Sequence, residues 1–313
     1  MTPVLVLFGP TASGKTELLR QLSGEGNKGP KAKFGITNSI EIISADSMQV
    51  YRGLDIGTAK PSPEERARVP HHLIDIRNPN EQFNAGDFVR LAEEACLAAA
   101  GRGAQPVVSG GTGFYLKNLV LGLSTAPPSD QEMRSTLKNE LAERGAASLM
   151  EELSKADPVS AGRIHLNDEY RLIRALEVWR ISGRPLSSFS EKMPTVKANG
   201  TILGTALRFR LVGLRWKREE LYRRINERTA AMFRAGLNDE VKHLFEAGYT
   251  PLDPGLRAIG YREFFVQDEK GAWHLSGDLA AVEALVAQNS RRYAKRQITF
   301  FASLPGVEWI DCG

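Results

Sequence analysis

An eight-residue string near the start of the chain constrains the fold more than any other feature. Gly9-Pro-Thr-Ala-Ser-Gly-Lys15-Thr16 fits G-x-x-x-x-G-K-[ST], follows the apolar run 4–8 and precedes a helical pattern at 16–22. In this context loop N–H groups and the helix N-terminus cradle phosphate oxygens, while the Thr hydroxyl can ligate Mg²⁺. We therefore predict Thr16 as a metal ligand and the following residues as phosphate contacts: Gly9, Pro10, Thr11, Ala12, Ser13, Gly14, Lys15 and Thr16.

Short apolar runs alternate with helical patterns around this loop. The runs are at 4–8, 40–44, 72–76 and 106–109, and the helical patterns at 16–22 and 87–100 separate them, with Asn84 as the expected N-cap of the second. Strands that alternate with helices form a parallel sheet with right-handed crossovers. The predicted fold class is α/β, a P-loop NTPase-like core whose parallel sheet is flanked by helices.

The middle of the chain has a different pattern. Between about 127 and 204 it shows helices at 131–144, 146–155 and 170–182, and no strong strand until 208–214. We predict an inserted all-helical domain at 126–204, with hinges at 125–128 and 197–204, and a core formed by 1–125 and 205–313. The core continues with helices at 217–235, 238–247 and 279–300 and a last strand at 307–310.

The bulk composition excludes several classes of protein. With 42% hydrophobic and 25% charged residues among 313, the chain has the composition of a soluble globular protein. It has no run of about 18 apolar residues and no basic leader, so we expect neither a membrane span nor a signal peptide. Cys96 and Cys312 are too few for a disulfide framework, which favours a reducing compartment, the cytoplasm.

The charge distribution points weakly to a polyanionic partner. Residues 208–301 contain 17 Lys and Arg against 12 Asp and Glu, a net of +5, whereas the rest of the chain sums to −1. Within this part, Arg291, Arg292, Lys295 and Arg296 stand close to Tyr293 and two phenylalanines. A solvated basic helix surface explains the same pattern, and composition alone leaves both readings open.

The phosphate loop does not say which molecule carries the phosphates. The default is nucleotide binding, with ATP as the ligand and phosphoryl transfer as the reaction. No hydrophobic strand ending in a Walker-B Asp follows the loop, however; the second strand runs into Asp46. At the carboxyl edge of a parallel sheet, this carboxylate could hold Mg²⁺ through water or take a proton, although a turn Asp is the plainer alternative.

Two further features allow a structural or a functional interpretation. His71 and His72 stand in PHHLIDI, where a metal site lacks a spaced third ligand, so a structural role is favoured. The Gly- and Lys-rich stretch 23–35 predicts a surface loop, and Lys28, Lys31 and Lys33 could add a weak phosphate contact.

Several strings in order resemble one family over essentially the whole chain. They are GPTASGKT, SADSMQVYRGLDIGTAKP, PHHLIDI, SGGTGFYLKNL, RLIRALEVWRISGRP, LYRRINERTAAMFRAGLNDEV, RAIGYRE and YAKRQITFF. Together they resemble the tRNA dimethylallyltransferase family, the bacterial isopentenyltransferases that modify the adenine beside the anticodon. The Asp46 string and YAKRQ are specific to this resemblance, whereas the phosphate loop alone is not.

The resemblance implies a reaction and roles for individual residues. The loop would bind the diphosphate of dimethylallyl diphosphate, with Mg²⁺, and the adenine N6 would attack C1 of the dimethylallyl group. Asp46 would take the proton, Thr112 would line the reaction channel and Arg224 would lie at the diphosphate. Arg224 and Arg228 border the apolar stripe of helix 217–235, and snorkelling over that stripe remains an alternative for both.

The resemblance also implies a surface for the anticodon stem-loop of tRNA. Tyr170 stands where relatives often have Gln, and Arg223 where they are often acidic. The implied tRNA contacts are Asp46, Ser47, Met48, Gln49, Thr112, Arg134, Tyr170, Arg171, Leu172, Ile173, Arg174, Arg257, Ala258, Ile259, Gly260, Tyr261, Arg262, Lys295, Arg296 and Gln297.

Three other functions compete with tRNA prenylation. Prenylation of free AMP or ATP needs neither a basic helix nor a large insertion, and a P-loop kinase fits poorly with the Asp46 string. A nucleic-acid-binding module with a vestigial loop fits poorly with an intact Lys15–Thr16 pair. The predicted partners are therefore tRNA and dimethylallyl diphosphate, with no membrane, for a monomeric enzyme.

Overall fold

A computed structural model describes residues 1–24, 30–189, 195–196, 202–203 and 206–313. The chain divides into two compact units. The first consists of Met1–Val120 and Pro194–Gly313, and the second of Leu121–Met193. The sequence-based boundaries, 126 and 204, lie five and eleven residues further along the chain.

The first unit is built on a sheet whose central strands are all parallel. The strands of the described residues are β1 Thr2–Phe8, β2 Ile40–Ser44, β3 His71–His72, β4 Gln105–Gly110, β5 Thr195–Val196, β6 Ile202–Leu203, β7 Leu207–Arg215, β8 Phe265–Gln267, β9 Trp273–Leu275 and β10 Val307–Asp311. In spatial order the parallel strands are β3, β2, β4, β1 and β7, with β10 paired to the other side of β7. The hairpin β5–β6 also joins β7, in antiparallel register. β8 and β9 form a separate antiparallel hairpin.

Eleven helices occur in the described part of the chain. They are α1 Lys15–Ser23, α2 Pro30–Lys33, α3 Pro63–Arg68, α4 Ala85–Gly101, α5 Gly113–Leu121, α6 Gln131–Ala156, α7 Pro158–Ala161, α8 Glu169–Ser182, α9 Arg218–Arg234, α10 Leu237–Glu246 and α11 Leu279–Phe301. Short 3₁₀ turns lie at Leu186–Ser188, Gly255–Arg257 and Arg262–Phe264. None of these helices combines the length and the apolar composition needed to cross a membrane.

The apolar strands are buried because helices cover the sheet. Val6, Leu7 and Phe8 of β1 and Ile43 of β2 are fully buried, as expected for parallel strands covered on both faces. α4 begins at the predicted N-cap: the Asn84 side chain accepts from the N–H groups of Gly86 and Asp87, and the Asp87 carboxylate bonds back to the Asn84 N–H. This capping box satisfies N–H groups that the helix leaves unpaired.

The second unit has its own core. Helices α6 and α8 pack around a buried cluster of Leu137, Leu149, Leu153, Leu172 and Leu176. α6 covers the two helices expected at 131–144 and 146–155, and Gly145, with φ 76°, interrupts it where the sequence predicted a break. One apolar stripe per helix, closed against its neighbour, is the arrangement expected of a small helical unit.

Most predicted elements lie where the sequence placed them, and one strand was wrong. The strand expected at 72–76 is only His71–His72, because Leu73 and Asp75 adopt positive φ values of 63° and 57°, which end an extended conformation. Helices α3, α5 and α7 and the hairpins β5–β6 and β8–β9 were not predicted, and β5–β6 lies in the range 126–204 that was expected to be all-helical. In the expected loop 23–35, residues 30–33 form α2, and residues 25–29 lie outside the described part. Most residues of the hinge predicted at 197–204 also lie outside the described part.

Candidate functional site

Three chain segments leave the carboxyl ends of adjacent strands and meet at one edge of the sheet. The phosphate loop, 9–16, follows β1, the Asp46 segment follows β2, and Gly111 and Thr112 follow β4, which lies between β2 and β1. The carboxyl edge of a parallel sheet is where α/β proteins bind ligands. The site predicted from three separate strings is therefore one place in the fold.

The phosphate loop adopts a conformation that few residues accept. Ala12 has φ 61° and Gly14 φ 88°, both in the left-handed region, and Ala12 has a Cβ that disfavours it. The Lys15 ammonium donates to the Gly9 and Pro10 carbonyls at 2.9 and 3.0 Å. Because of these bonds the two carbonyls point toward Lys15, and the loop surrounds the Lys15 ammonium.

Side chains from the C-terminal part hold the loop from behind. The Thr11 N–H donates to Gln297 Oε1, Arg224 Nε donates to the Ala12 carbonyl and Trp216 Nε1 donates to the Ser13 carbonyl, each at 2.9 Å. The Arg224 guanidinium also lies 4.4 Å from the centre of the Trp216 ring. Three hydrogen bonds from distant side chains thus hold the strained backbone in place. Such strain persists only where the surrounding structure holds it in this way.

Arg224 has two contacts that the sequence did not predict. Its Nε bonds to the loop backbone and its guanidinium lies over an indole ring, while its position at the diphosphate stays a prediction. A second pocket, which does not include Lys15 or Asp46, is lined by Arg224, Trp216 and Leu18. In this structure Arg224 stabilises the conformation of the phosphate loop.

Arg228, one turn further along α9, acts on the charge of Lys15. Burial first, and then the nearby Arg228 charge, lower the pKa of Lys15 to about 8, and Asp46 partly opposes this. Burial likewise lowers the pKa of Arg228, with Asp46 again acting in the opposite sense. Lys15 and Arg228 therefore lie close enough to repel each other with Asp46 as the carboxylate that acts on both, an environment that an anionic ligand would relieve. Arg228 was not among the site residues predicted from the sequence.

Asp46 holds its own turn with one oxygen. Asp46 Oδ1 accepts from the N–H groups of Met48 and Gln49 at 2.9 and 3.4 Å, and the residue is half-buried. No described residue donates a hydrogen bond to Oδ2. The turn interpretation and the chemical interpretation therefore both fit, because the two oxygens are used differently.

Thr112 is fixed against the Asp46 segment. A Cβ on Gly110 would lie 2.1 Å from the Ala45 carbonyl oxygen, so only glycine allows the two segments to approach so closely. The Thr112 N–H donates to the Ala45 carbonyl at 3.2 Å, and Thr112 Oγ1 accepts from the Ser47 N–H at 3.0 Å. The two strand ends therefore form one rigid frame.

A cavity of about 240 Å³ opens at this edge. Its lining includes the polar residues Lys15, Thr16 and Asp46 and the apolar residues Leu19 and Val69. The cavity could therefore hold a phosphate group next to a small hydrocarbon.

Within the first unit, the predicted tRNA contacts differ in accessibility. Arg257, Arg262, Lys295 and Arg296 are exposed, and Ser47, Met48 and Ile259 are half-buried. Ala258, Gly260, Tyr261 and Gln297 are buried, because they hold neighbouring segments together. The Tyr261 hydroxyl donates to Glu240, which also accepts from the N–H groups of residues 55–57.

Gln297 connects two segments of the site. Its Oε1 accepts from the Thr11 N–H and its Nε2 donates to the Gly111 carbonyl at 2.7 Å, so the amide joins the phosphate loop to the Thr112 segment. Because the residue is 5% exposed and both ends of its amide are engaged, we interpret it as a positioning residue. Its contact with tRNA stays a prediction.

Within the second unit, Tyr170 and Arg171 are exposed, whereas Leu172 and Ile173 are buried in the helical core. The predicted string therefore spans both faces of α8, and the side chains of the last two residues belong to the core of this unit. Arg134 and Arg174 are half-buried and both donate to the Glu177 carboxylate.

Other candidates have structural roles. His71 Nδ1 lies 2.7 Å from the Val69 carbonyl and His72 Nε2 lies 2.7 Å from Glu41 Oε2, and no cluster of three potential metal-ligating side chains occurs among the described residues. Lys31 is buried and donates to the Gly24 carbonyl, so it is not a phosphate contact. Lys28 lies outside the described residues.

Comparisons with known proteins agree on one family. Residues 49–304 match the family model of the IPP transferases, a range that begins after the phosphate loop. The tRNA dimethylallyltransferase of Geobacter sulfurreducens is 42% identical over 312 residues, covering 99% of this chain and 92% of that protein. That of Geobacter metallireducens is 41% identical over 312 residues, covering 99% and 93%.

Solved structures give the same answer. The tRNA isopentenylpyrophosphate transferase of Bacillus halodurans is similar with a TM-score of 0.63 at 34% identity, covering 99% of this chain and 90% of that one. A eukaryotic dimethylallyltransferase acting on tRNA is similar with a TM-score of 0.73 at 25% identity, covering 99% and 74%. The family model spans most of the chain and these relatives align almost from end to end, so the chain belongs to the IPP transferase family.

Proposed function

We propose that this enzyme transfers a dimethylallyl group from dimethylallyl diphosphate to N6 of the adenine 3′ of the anticodon, position 37, in tRNAs that read codons beginning with U. Diphosphate is released. The observation that carries the proposal is the position of Asp46 beside the cations Lys15 and Arg228, at the edge where the phosphate loop and Thr112 also lie. We also propose that the reaction takes place in the cytoplasm and that the enzyme is active as a monomer.

Asp46 would act on the nucleophile. The N6 amine is weak because its lone pair is delocalised into the purine ring. As the N6–C1 bond forms and the C1–O bond breaks, the electron pair of the latter leaves with the diphosphate and one N6 proton moves to Asp46. The open Oδ2 suits this role, because Oδ1 is engaged by the Met48 and Gln49 N–H groups and keeps the carboxylate in place.

The cations would act on the leaving group. Negative charge grows on the departing diphosphate, and preorganised donors stabilise it more than mobile water does. Lys15, now bonded to loop carbonyls, would turn to the phosphate oxygens, while Arg224 keeps the loop N–H groups aimed at them. Thr112, fixed on Ser47, would border the reacting atoms.

The residues at the loop also fit Mg²⁺. The Thr16 side chain is exposed in the first turn of α1, and the residue lines the same cavity as Asp46. Mg²⁺ takes oxygen ligands and commonly uses one or two protein ligands, with waters and substrate phosphates completing its shell. Thr16, with Asp46 through water, would hold it, and when bound it would neutralise charge on the diphosphate.

Cations that are exposed or partly exposed would bind RNA. A base in an anticodon loop is reached only after it is turned out of its stack, so the enzyme needs contacts to the backbone around it. Arg257, Arg262, Lys295 and Arg296 of the first unit and Arg134, Arg171 and Arg174 of the second are the side chains we assign to this task.

One experiment separates this function from its competitors. The protein is incubated with Mg²⁺, radiolabelled dimethylallyl diphosphate and either unmodified tRNA or AMP, and the tRNA is then digested to nucleosides. Label in an N6-substituted adenosine from tRNA alone supports the proposal. Label in AMP alone would show a free-nucleotide prenyltransferase instead, and label in neither, with ATP turnover on a kinase substrate, would refute prenyl transfer.

A further inference from the structure

Glu177 of the second unit is a fully buried carboxylate with an unusual set of donors. Its Oε1 accepts from the Ser129 hydroxyl at 3.0 Å and the Asp130 N–H at 2.7 Å. Its Oε2 accepts from Arg134 Nε at 3.3 Å and Arg174 Nη1 at 2.7 Å. One oxygen thus fixes the start of α6, and the other brings arginines from two helices to the same point.

The same arginines are held from other sides as well. Arg174 Nη2 donates to the Pro127 carbonyl. The Arg134 guanidinium lies 5.0 Å from the centre of the Tyr170 ring, which is 68% exposed. Each arginine side chain is nevertheless about a quarter exposed, so the pair reaches the surface beside an open aromatic ring.

A second ion cluster in the same unit shows what is special about this one. Around Arg180 and Arg144, the carboxylates Glu140 and Glu152 match the two positive charges. Around Glu177, by contrast, one carboxylate serves two arginines and leaves a positive charge in excess. A balanced cluster needs nothing more, whereas an unbalanced, partly exposed one is suited to receive an anion.

We propose that Glu177 is a positioning residue for RNA binding. It holds Arg134 and Arg174 ready for a backbone phosphate, while the exposed face of Tyr170 takes a neighbouring base by stacking. Ordering a long side chain on binding has an entropic cost, and a carboxylate that orders two arginines beforehand removes much of that cost. This inference rests on the proposed function, because it takes tRNA as the RNA.

The variant that isolates this role is Glu177→Gln. Its amide oxygen can still accept from Ser129 and Asp130, but its N–H₂ group meets the two arginines and releases them. We expect the Kd for tRNA to rise about tenfold, because two side chains must then be ordered on binding. The kcat at saturating tRNA and the KM for dimethylallyl diphosphate should not change.

Glu152→Gln is the matched control. It removes one carboxylate from the Arg180 cluster of the same unit and should lower thermal stability without changing the Kd for tRNA. An equal rise in Kd for both variants would show that general loosening of the unit is responsible, and would overturn the positioning role.

Arginine variants identify the partner through which Glu177 acts. Arg134→Ala combined with Arg174→Ala should weaken tRNA binding, and adding Glu177→Gln to this pair should cause no further loss of binding. If the arginine variants weaken binding while Glu177→Gln alone does not, the positioning role is wrong. If none of them affects binding but labelled prenyl transfer to tRNA persists, the second unit does not hold tRNA here, whereas the proposed reaction stands.

Discussion

Asp46 and Glu177 show two uses of a carboxylate near arginines. Glu177 is fully buried, accepts four hydrogen bonds, and has a protein donor at both oxygens. Burial alone would raise its pKa, but hydrogen bonds led by that from Arg174 keep the pKa below its usual range. Asp46 is half-buried, has Oδ1 engaged by two backbone N–H groups, and faces a cavity.

The two carboxylates differ in whether an oxygen remains free to take a proton. A carboxylate whose lone pairs are all used can organise its neighbours but has no capacity for a migrating proton, whereas one with an open oxygen has that capacity. Both are surrounded by positive charge, so charge alone would not distinguish them. The distinction lies in how many hydrogen-bond acceptors remain free.

The largest effect that tests this comparison is that of Asp46→Ala. Removal of a general base costs about 10²–10⁴-fold in rate, so we expect turnover to be almost lost. The Kd for tRNA should stay within about tenfold, because the lost interaction acts mainly in the transition state. Single-turnover transfer of labelled dimethylallyl groups and a tRNA binding assay measure the two quantities.

Asp46→Asn is the sharper form of the same test. Its amide oxygen can still accept from Met48 and Gln49, so the turn should persist, but the side chain can no longer take a proton. A loss of turnover as large as that of Asp46→Ala is expected. Normal turnover in Asp46→Asn would show that Asp46 only stabilises its own turn. Asp46 and Glu177 would then both be structural carboxylates.

The backbone of the site could be predicted from sequence because it depends on local patterns. An apolar strand, a glycine-rich loop and a helix specify the turn at 9–16, and the asparagine at 84 with the aspartate at 87 specifies the start of α4. The strand at 72–76 was wrong because positive φ at Leu73 is not visible in an apolar run.

Side-chain roles were harder to predict because they depend on distant partners. Gln297 bonds to Thr11, which is 286 positions away, and no spacing in the sequence indicates this contact. Arg224 and Arg228 are one turn apart on α9, and only the fold shows that the first bonds to the loop backbone while the second affects Lys15. The string 170–174 contributes side chains to both faces of α8. Treating it as one motif therefore assigned tRNA contacts to exposed and buried residues alike.

The second effect, in order of size, concerns pH and Lys15. The pKa of Lys15 is lowered to about 8, so the ammonium is charged below that pH and loses its charge above it. Because a diphosphate binds the charged form, kcat/KM for the prenyl donor should be constant below about pH 8. Above it, kcat/KM should fall by about tenfold per pH unit, as expected for one titrating group.

Lys15→Arg controls for other titrating groups. A guanidinium stays charged throughout this range, so the fall above pH 8 should disappear even if the absolute rate is lower. Persistence of the fall in this variant would mean that another group titrates, and that the phosphate loop is not sensitive to the charge of Lys15. Kinetics of donor use between pH 6.5 and 9.5 provide the measurement.

The smallest expected effect concerns salt and the outer surface, where neither carboxylate acts. Each phosphate contact releases a counterion, so the logarithm of the tRNA affinity should fall steeply and linearly with the logarithm of salt concentration. Lys295→Ala should weaken binding only a few-fold and reduce the magnitude of that slope by about 0.7–0.9, the value for one contact. Lys155→Ala removes an exposed lysine of the second unit that is paired with Glu151, and should leave the slope unchanged. A flat salt response in the unmodified protein would contradict the basic surface altogether, and would leave the Glu177 cluster without a phosphate to receive.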